Sequence, residues 1–359
     1  MLPKIGPVRV RKLVDVFGSA QEILKAPLAA LERVDGVGTK TAMILHQWEQ
    51  YANPDHEIES AERRGIQILT QEDEGYPKAL SEMYDAPLVL YVWGRLESLD
   101  DHGIALVGSR KYTHYGQKSA RQLAFQLASA GITVVSGLAR GIDTFSHEGA
   151  IAAGGRTIAV IGSGLGQIYP PENMALAEKI AAGYGAVVSE FPLQTKPDKK
   201  TFPMRNRIVA GWSNGVVVVE CPKWSGSLIT ANLAADMGKS VYAVPGQIDS
   251  PQSGGCNELI RNGATLVTSA EDILVDRETL PHFKVPREAS EEVVHPAIMG
   301  LNDEEKRVYE AVDGEPMLAD QLIQLTGLSF PILSVALLQL EIKKLVQQLP
   351  GSRYVRKEF

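Results

Sequence analysis

Six uniformly apolar, mostly β-branched runs recur through the middle of the chain: IALVG (104–108), ITVVSG (132–137), TIAVIG (157–162), AVVSE (186–190), VVVVE (216–220) and VYAVPG (241–246). A strand with one wet face alternates apolar and polar residues. Runs without that alternation predict strands buried on both faces. Segments of helical period lie between them. GQKSARQLAFQLASAG (116–131) puts Ala120, Leu123, Ala124 and Leu127 on one face and stops at Gly131. This alternation predicts an α/β fold built on an extended, Rossmann-like parallel sheet. GIQILT (65–70) and LVLYVWG (88–94) extend the sheet at one edge.

The flanks are helical. Within residues 1–60, IGPVRVRKL (5–13) echoes VGTKTAMIL (37–45): an apolar residue, a glycine, three more residues, then an apolar-rich helix. A glycine there permits a tight turn that points the next helix's N–H groups outward, which suits a phosphate. The echo reads either as a helix-hairpin-helix (SAM-like) unit that binds DNA backbone or as a small helical packing module. Residues 61–275 make the central domain. Residues 276–300 are polar, carry three prolines and read as a linker. Residues 301–359 supply three helical segments and a hairpin around Pro350-Gly351, a winged-helix-like pattern.

Composition narrows the setting. The chain has 359 residues, 44% of them apolar and 22% charged, enough for several folded domains. Cys221 and Cys256 match no CxxC or zinc spacing, which points to a reducing, cytoplasmic compartment and away from a disulfide framework. No apolar stretch approaches the roughly 18 residues of a membrane span, and no signal core follows the N-terminus, so no membrane partner is expected. The net charge of −7 conceals an asymmetry: residues 103–275 carry 15 Lys and Arg against 12 Asp and Glu, and the remainder 21 against 31. A mildly basic middle inside an acidic protein is the polarity a polyanion ligand needs.

In an open parallel sheet a ligand sits beyond the carboxyl ends of the strands. Four loops qualify. VGSRKYTHYG offers Gly108, Ser109 and Arg110, and SGLARGID offers Arg140. IGSGLGQIYPPEN offers Ser163 and Gly164, and CPKWSGSLIT offers Ser225 and Gly226, with Ser225 or Ser227 as a helix cap. Small residues, N–H groups and guanidinium groups together make a phosphate-binding rim. A dinucleotide cofactor fits poorly. GSGLG is spaced GxGxG, and Pro170 and Pro171 follow where the fingerprint needs a helix to open. MGKS (237–240) fails as a P-loop because Leu233 replaces its first glycine and a strand follows. Asp143 and His147, four apart on one helix, could serve a metal or acid–base pair, or could brace the helix start. HExxH is absent, and Ser136 has no evident partner base. Neither an active site nor a cofactor is expected.

KPDKKTFPMRNR (196–207) collects five cations (Lys196, Lys199, Lys200, Arg205, Arg207) and one carboxylate, Asp198. Pro203 suits the first turn of a helix, with Arg205 and Arg207 expected in that turn at its positive end. Phe202 stands at the mouth. An aromatic among cations is the composition of a single-strand platform, where cations take phosphates and the ring stacks an unpaired base. The packing alternative puts Phe202 in the core with the cations as a solvated fringe.

VGSRKYTHYG, SGLARGIDTFSHEGA, VIGSGLGQIYPPEN, SEFP, FPMRNRIVAG, SGSLITANLAADMGKSVYAVPG and GGCNELIRNGA occur in this order across about 103–270. Together they resemble the signature of the DNA-processing protein A family (DprA/Smf). The resemblance implies a non-enzymatic, homodimeric single-stranded-DNA binder that protects incoming DNA in natural transformation and loads a RecA-type recombinase. It further implies DNA contacts at Arg110, Lys199, Phe202, Arg205, Asn206 and Arg207, backbone contacts at Ser163-Gly164 and Ser225-Gly226, and a lesser one at Arg140. The dimer would form through the Rossmann-like domain, with 232–244 and 255–267 as candidate surfaces. Four engaged cations (Arg110, Lys199, Arg205, Arg207) predict a log–log salt slope near −3, from roughly −0.7 per phosphate.

Two competing readings remain. One is a nucleotide-processing hydrolase similar to the lysine-decarboxylase-like phosphoribohydrolases, dependent on Asp143 or Glu190; its PGGxGTxxE motif is absent. The other is a sequence-specific regulator acting through residues 296–359. The helix that would read bases, FPILSVALLQLEIKK, is apolar with cations only at its end, whereas a major-groove reader needs outward polar groups. A protein contact, or regulation of the central domain, is expected there instead.

Overall fold

The apolar runs become strands because each is covered on both sides. The computed structural model describes residues 2–3, 5–276, 301–312, 317–343, 345–349 and 353–356. Residues 277–300, nearly all of the expected linker, lie outside the described residues. Two compact units result, Met1–Val285 and Pro286–Phe359.

In the first unit nine strands make one sheet. They are β1 (Ile66–Thr70), β2 (Val89–Gly94), β3 (Gly103–Gly108), β4 (Val134–Ser136), β5 (Thr157–Val160), β6 (Gly185–Ser189), β7 (Ser213–Glu220), β8 (Ser240–Ala243) and β9 (Thr265–Leu266). Their order is β1-β2-β6-β5-β4-β3-β7-β8-β9. From β6 to β9 all pairings are parallel, and β1 and β2 extend one edge in antiparallel register.

The helices, in chain order, begin with α1 (Pro7–Phe17), α2 (Ala20–Lys25), α3 (Leu28–Leu31), α4 (Thr39–His46) and α5 (Pro54–Glu62). Then come α6 (Lys78–Ser81), α7 (His114–Ser129), α8 (Ile142–Ala152) and α9 (Met174–Lys179). The unit closes with α10 (Thr201–Trp212), α11 (Gly226–Asp236), α12 (Gly254–Arg261) and α13 (Glu271–Leu274). Successive strand residues point to opposite faces. Ile104, Leu106, Val217 and Val219 therefore meet Leu123, Leu127, Ile142 and Phe145 of α7 and α8. Ala105, Val107, Val216 and Val218 meet Ile208, Trp212, Ala231 and Ala234 of α10 and α11. Both faces are apolar, which is why the strand sequences show no alternation.

The strand order reverses at β3, which has β4 on one side and β7 on the other. Such a reversal opens a crevice beyond the strands' carboxyl ends. Gly108 is required there: a Cβ would lie 2.6 Å from Ile142 Cγ1 and 2.8 Å from the Glu220 carbonyl oxygen.

Helices α1 to α4 pack around Leu13, Ile23, Leu31, Val37 and Leu45. Gly6 and Gly38 precede α1 and α4 with extended backbone (φ −111° and −79°), so the echo marks two helix starts that need no left-handed glycine. Arg11 Nη1 donates to the Met83 carbonyl at 3.3 Å, joining this layer to the central part of the same unit. The GSGLG loop leads into a short turn, Pro171–Asn173, before α9, so no helix opens on its glycines. MGKS runs directly into β8.

The second unit holds α14 (Asp303–Ala311), α15 (Ala319–Thr326) and α16 (Phe330–Ile342), with a small sheet of β10 (Met317–Leu318), β11 (Val346–Leu349) and β12 (Arg353–Arg356). Leu333, Leu337 and Leu340 of α16 enter its core, while Ile332, Val335, Leu338 and Ile342 are exposed. The helix is thus apolar on both faces. Among the described residues no single helix is long and apolar enough to cross a membrane.

Candidate nucleic-acid interface

A cleft of about 470 Å³ opens at the crevice between β3 and β7. Three segments make most of its lining, Val107–Lys111 after β3, Lys199–Val209 leading into and along α10, and Pro222–Thr230 leading into α11, and Gly137, Ala139, Asp143 and Gln252 complete it. Each segment is fixed by interactions that leave its exposed groups facing the opening.

The first segment is a tied loop. Ser109 N–H donates to the Glu220 carbonyl at 2.7 Å, and its hydroxyl closes a turn by donating to Lys111 O (2.7 Å) and accepting from Lys111 N–H (3.0 Å). The Glu220 carboxylate accepts from Thr113 N–H at 2.8 Å and from the Thr113 hydroxyl. Ser109 is thereby buried, while Arg110 and Lys111 project into solvent.

The second segment carries the basic stretch. Asp198, its only carboxylate, accepts from Lys200 N–H at 2.8 Å, and its carbonyl accepts from Thr201 N–H at 3.1 Å, so it organises the start of α10. At the other end of α10, Lys239 of MGKS donates to the carbonyls of Ala210 (3.2 Å) and Ser213 (2.7 Å), a cation placed where the helix dipole favours one. Burial lowers the Lys239 amine to about 8. Phe202, Asn206 and Val209, spaced at i, i+4 and i+7, share the helix face that lines the cleft.

Phe202 is half-buried, not sealed in the core. Arg110 lies over its ring at 4.9 Å, and Tyr169 stands beside it at 6.0 Å between centroids. Arg140, expected at the rim, instead pairs with Glu172 and lies 5.5 Å from the Tyr169 centroid.

Arg205 and Arg207 depart from expectation. Helix α10 begins at Thr201, so both fall in its second turn and point away from solvent. Arg205 is 5% exposed and sits at the floor of the cleft, donating to the carbonyls of Gly137 and Val160 (2.6 Å), the ends of β4 and β5. Asp143 lies beneath it. Burial raises the Asp143 carboxyl and lowers the Arg205 guanidinium, and each opposes the other's shift by attraction. Arg207, 8% exposed, lies outside the cleft lining; it pairs with Glu190, donates to Asp85 O (2.5 Å) and approaches the Asp85 carboxylate at 3.4 Å. Both guanidinium groups are engaged inside the protein.

Ser163 and Gly164 are likewise turned inward. The Ser163 hydroxyl donates to Gln167 O at 2.7 Å, and Gly164 N–H donates to Thr195 O at 2.9 Å. They pin the segment that leads to Lys199. In the third segment Ser225 caps α11, accepting from Ser227 N–H at 3.3 Å, and Gly226 is exposed at the mouth with no heavy atom near its Cβ position.

The cleft therefore gathers Gly108, Ser109, Arg110, Lys199, Phe202, Arg205, Asn206, Ser225 and Gly226, and omits Ser163, Gly164 and Arg207, while Arg140 lines a small hollow that shares Arg110, Gly137 and Phe202 with it. It adds Lys111 and Trp224. The first was legible as the neighbour of Arg110 in GSRK. The second was a single aromatic in a loop read only for its serines.

The residues named for hydrolysis do not form a catalytic pair. Asp143 faces Arg205, and Glu190 is turned to Arg207 away from the cleft. The His147 Nδ1 lies 2.7 Å from the Thr157 hydroxyl, and burial pushes the imidazole down to about 3. Among the described residues no group of three or more His, Cys, Asp or Glu could hold a metal ion.

Comparison with known proteins adds a family assignment. The family model for DNA recombination-mediator protein A matches residues 67–278, the DprA winged helix domain 294–352, and a SAM-like helix-hairpin-helix tandem 1–43. The chain is similar to the protein Smf of Synechocystis, 35% identical over 98% of this chain and 96% of that one. It is similar to the DNA processing protein DprA of Bacillus subtilis, 42% identical over 68% and 82%. Among solved structures, DprA of Streptococcus pneumoniae matches with a TM-score of 0.62, 37% identity, and coverage of 78% of this chain and 99% of that one. DprA of Helicobacter pylori, described for its single-stranded DNA binding mode, matches with 0.52, 32%, 58% and 94%.

Proposed function

The chain belongs to the DNA recombination-mediator protein A family, and from that premise we propose that its central cleft holds single-stranded DNA. The observation that carries the reading is the cleft itself: Arg110, Lys111 and Lys199 around the half-buried ring of Phe202, at the point where the strand order reverses. The cations neutralise phosphates. The Gly226 N–H, in the first turn of α11, approaches the backbone at the positive end of that helix. Phe202 stacks an unpaired base.

Arg110 has two stations. Without DNA its guanidinium covers the Phe202 ring at 4.9 Å. An arriving base displaces it toward a phosphate, exchanging a cation–π contact for a charge-assisted hydrogen bond. With Arg205 and Arg207 withdrawn, three lining cations at roughly −0.7 each give a salt slope near −2, below the −3 expected from the sequence.

In the cell the protein protects incoming DNA in the cytoplasm and loads a RecA-type recombinase on it. It acts as a homodimer through the sheet domain, where the two-residue edge strand β9 leaves Leu266 exposed. The outward face of α16, apolar through Ile332, Val335, Leu338 and Ile342, suits a protein contact better than a DNA groove.

Gel-shift with single- and double-stranded oligonucleotides of equal length tests the reading. Wild type should prefer the single strand. Phe202→Ala should weaken that binding by about 1–3 kcal/mol. Equal affinity for both DNA forms, undisturbed by Phe202→Ala or Arg110→Ala, would overturn it.

A further inference from the structure

Phe202 is not the cleft's only ring. Trp224 lies in the loop between β7 and α11, lines the same cleft, and is 95% exposed. No other aromatic among the described residues is so bare; the next, Tyr84, is 79% exposed. Indole is the largest apolar side chain, and leaving it in water forgoes the burial that usually recruits tryptophan to a fold. Its surroundings are not those of an ordinary loop. The exposed Lys223 precedes it, Ser225 caps α11 immediately after it, and the half-exposed Ile229 of that helix adds apolar surface to the lining.

The chemistry favours a nucleobase over a protein side chain. Three exposed cations line this cleft, and its single carboxylate, Asp143, is buried beneath Arg205. Anything that reaches the indole must therefore be compatible with a cationic lining. A strand of unpaired nucleotides offers phosphates to the cations and a π-face to each ring.

We propose that Trp224 is a second base-stacking platform, so that the cleft holds at least two bases of one strand, one on Phe202 and one on Trp224. The inference rests on the single-strand reading above and extends it to a residue that touches nucleic acid through stacking alone. Stacking is not ionic, so loss of the indole should lower affinity without altering its salt dependence.

The test uses the full chain with oligo(dT) of increasing length, at several salt concentrations. Trp224→Ala should weaken binding by about 5- to 100-fold with an unchanged log–log salt slope. Trp224→Phe, which keeps a π-face, should recover most of that loss. Wild-type tryptophan fluorescence should fall on binding, and in Trp224→Phe this quenching should be lost although DNA still binds. Because the side chain is exposed, thermal unfolding of both variants should match wild type. If wild type binds oligo(dT) and Trp224→Ala binds it equally well, the second platform is wrong while the single-strand reading survives. A change in oligomeric state of that variant by light scattering, with affinity intact, would likewise overturn the proposal and assign the indole to a protein contact. Failure of wild type to bind would remove both.

Discussion

Lys199 and Lys200 stand on one side of Phe202, Arg205 and Arg207 on the other, all within nine residues. By composition the two pairs are equivalent. In the fold they are opposites: the lysines are exposed in the loop before α10, and the arginines are buried in its second turn. Two physical causes separate them. A helix rotates successive residues by about 100°, so Arg205, Asn206 and Arg207 cannot share one face. The head groups also differ. A guanidinium fork can satisfy several acceptors at once and is more weakly hydrated than an ammonium, which suits it to burial among strand-end carbonyls and carboxylates. The more strongly hydrated ammonium favours an exposed position. Cations before the helix are available to a ligand, and cations within it hold the helix to the sheet.

That division is open to attack, first where the effect is largest. Arg207→Ala leaves Glu190, 4% exposed, without its cation, and should cost about 3–5 kcal/mol of stability in urea unfolding at neutral pH. Burial raises the Glu190 carboxyl and Arg207 opposes that rise. The folded state thus keeps this proton to higher pH than the unfolded chain, and stability from this group falls as pH climbs past the ordinary carboxylate range. Removing Arg207 enlarges that fall. The variant's deficit should therefore be small in acid, where Glu190 is protonated, and widen toward neutrality. A pH-independent deficit would show that the carboxylate is not the cause.

Arg205→Lys should be milder, about 1–3 kcal/mol, because an ammonium can replace the Nη1 donor shared by Gly137 O and Val160 O but not the planar group whose Nε also donates to Asn206 Oδ1. A charge-removing Arg205→Met variant should keep the wild-type DNA salt slope, because the guanidinium is buried; a slope flatter by about 0.7 would return this residue to the ligand side. Arg140→Ala should do least. Its pair with Glu172 is surface-exposed on both sides, so stability and DNA affinity should each stay close to wild type.

The same contrast shows what the sequence could reveal. Uniform apolar runs gave the buried parallel strands, and the strand-end rule located the cleft, because both depend on local pattern. The flanking helix-hairpin-helix and winged-helix expectations agree with the family models matched there. Burial of Arg205 and Arg207 was hidden because their partners, Gly137, Val160, Glu190 and Asp85, are distant or unremarkable in sequence. Ser163-Gly164 resembled a phosphate loop, yet Gly164 N–H is taken up by Thr195 O, a partner some thirty residues on. Trp224 is hidden for the reverse reason: a tryptophan is normally core, and nothing in the sequence marks this one as bare.

The most direct test is the salt dependence of oligo(dT) affinity for wild type, the Arg110→Ala/Lys199→Ala double variant and Phe202→Ala. Wild type should give a slope near −2. The double variant should flatten it by about 1.4, from roughly 0.7 per lost phosphate contact. Phe202→Ala should fall on a line parallel to wild type but weaker. A double variant with the wild-type slope, or a wild-type slope steep enough to require the two buried arginines as well, would contradict this division of labour.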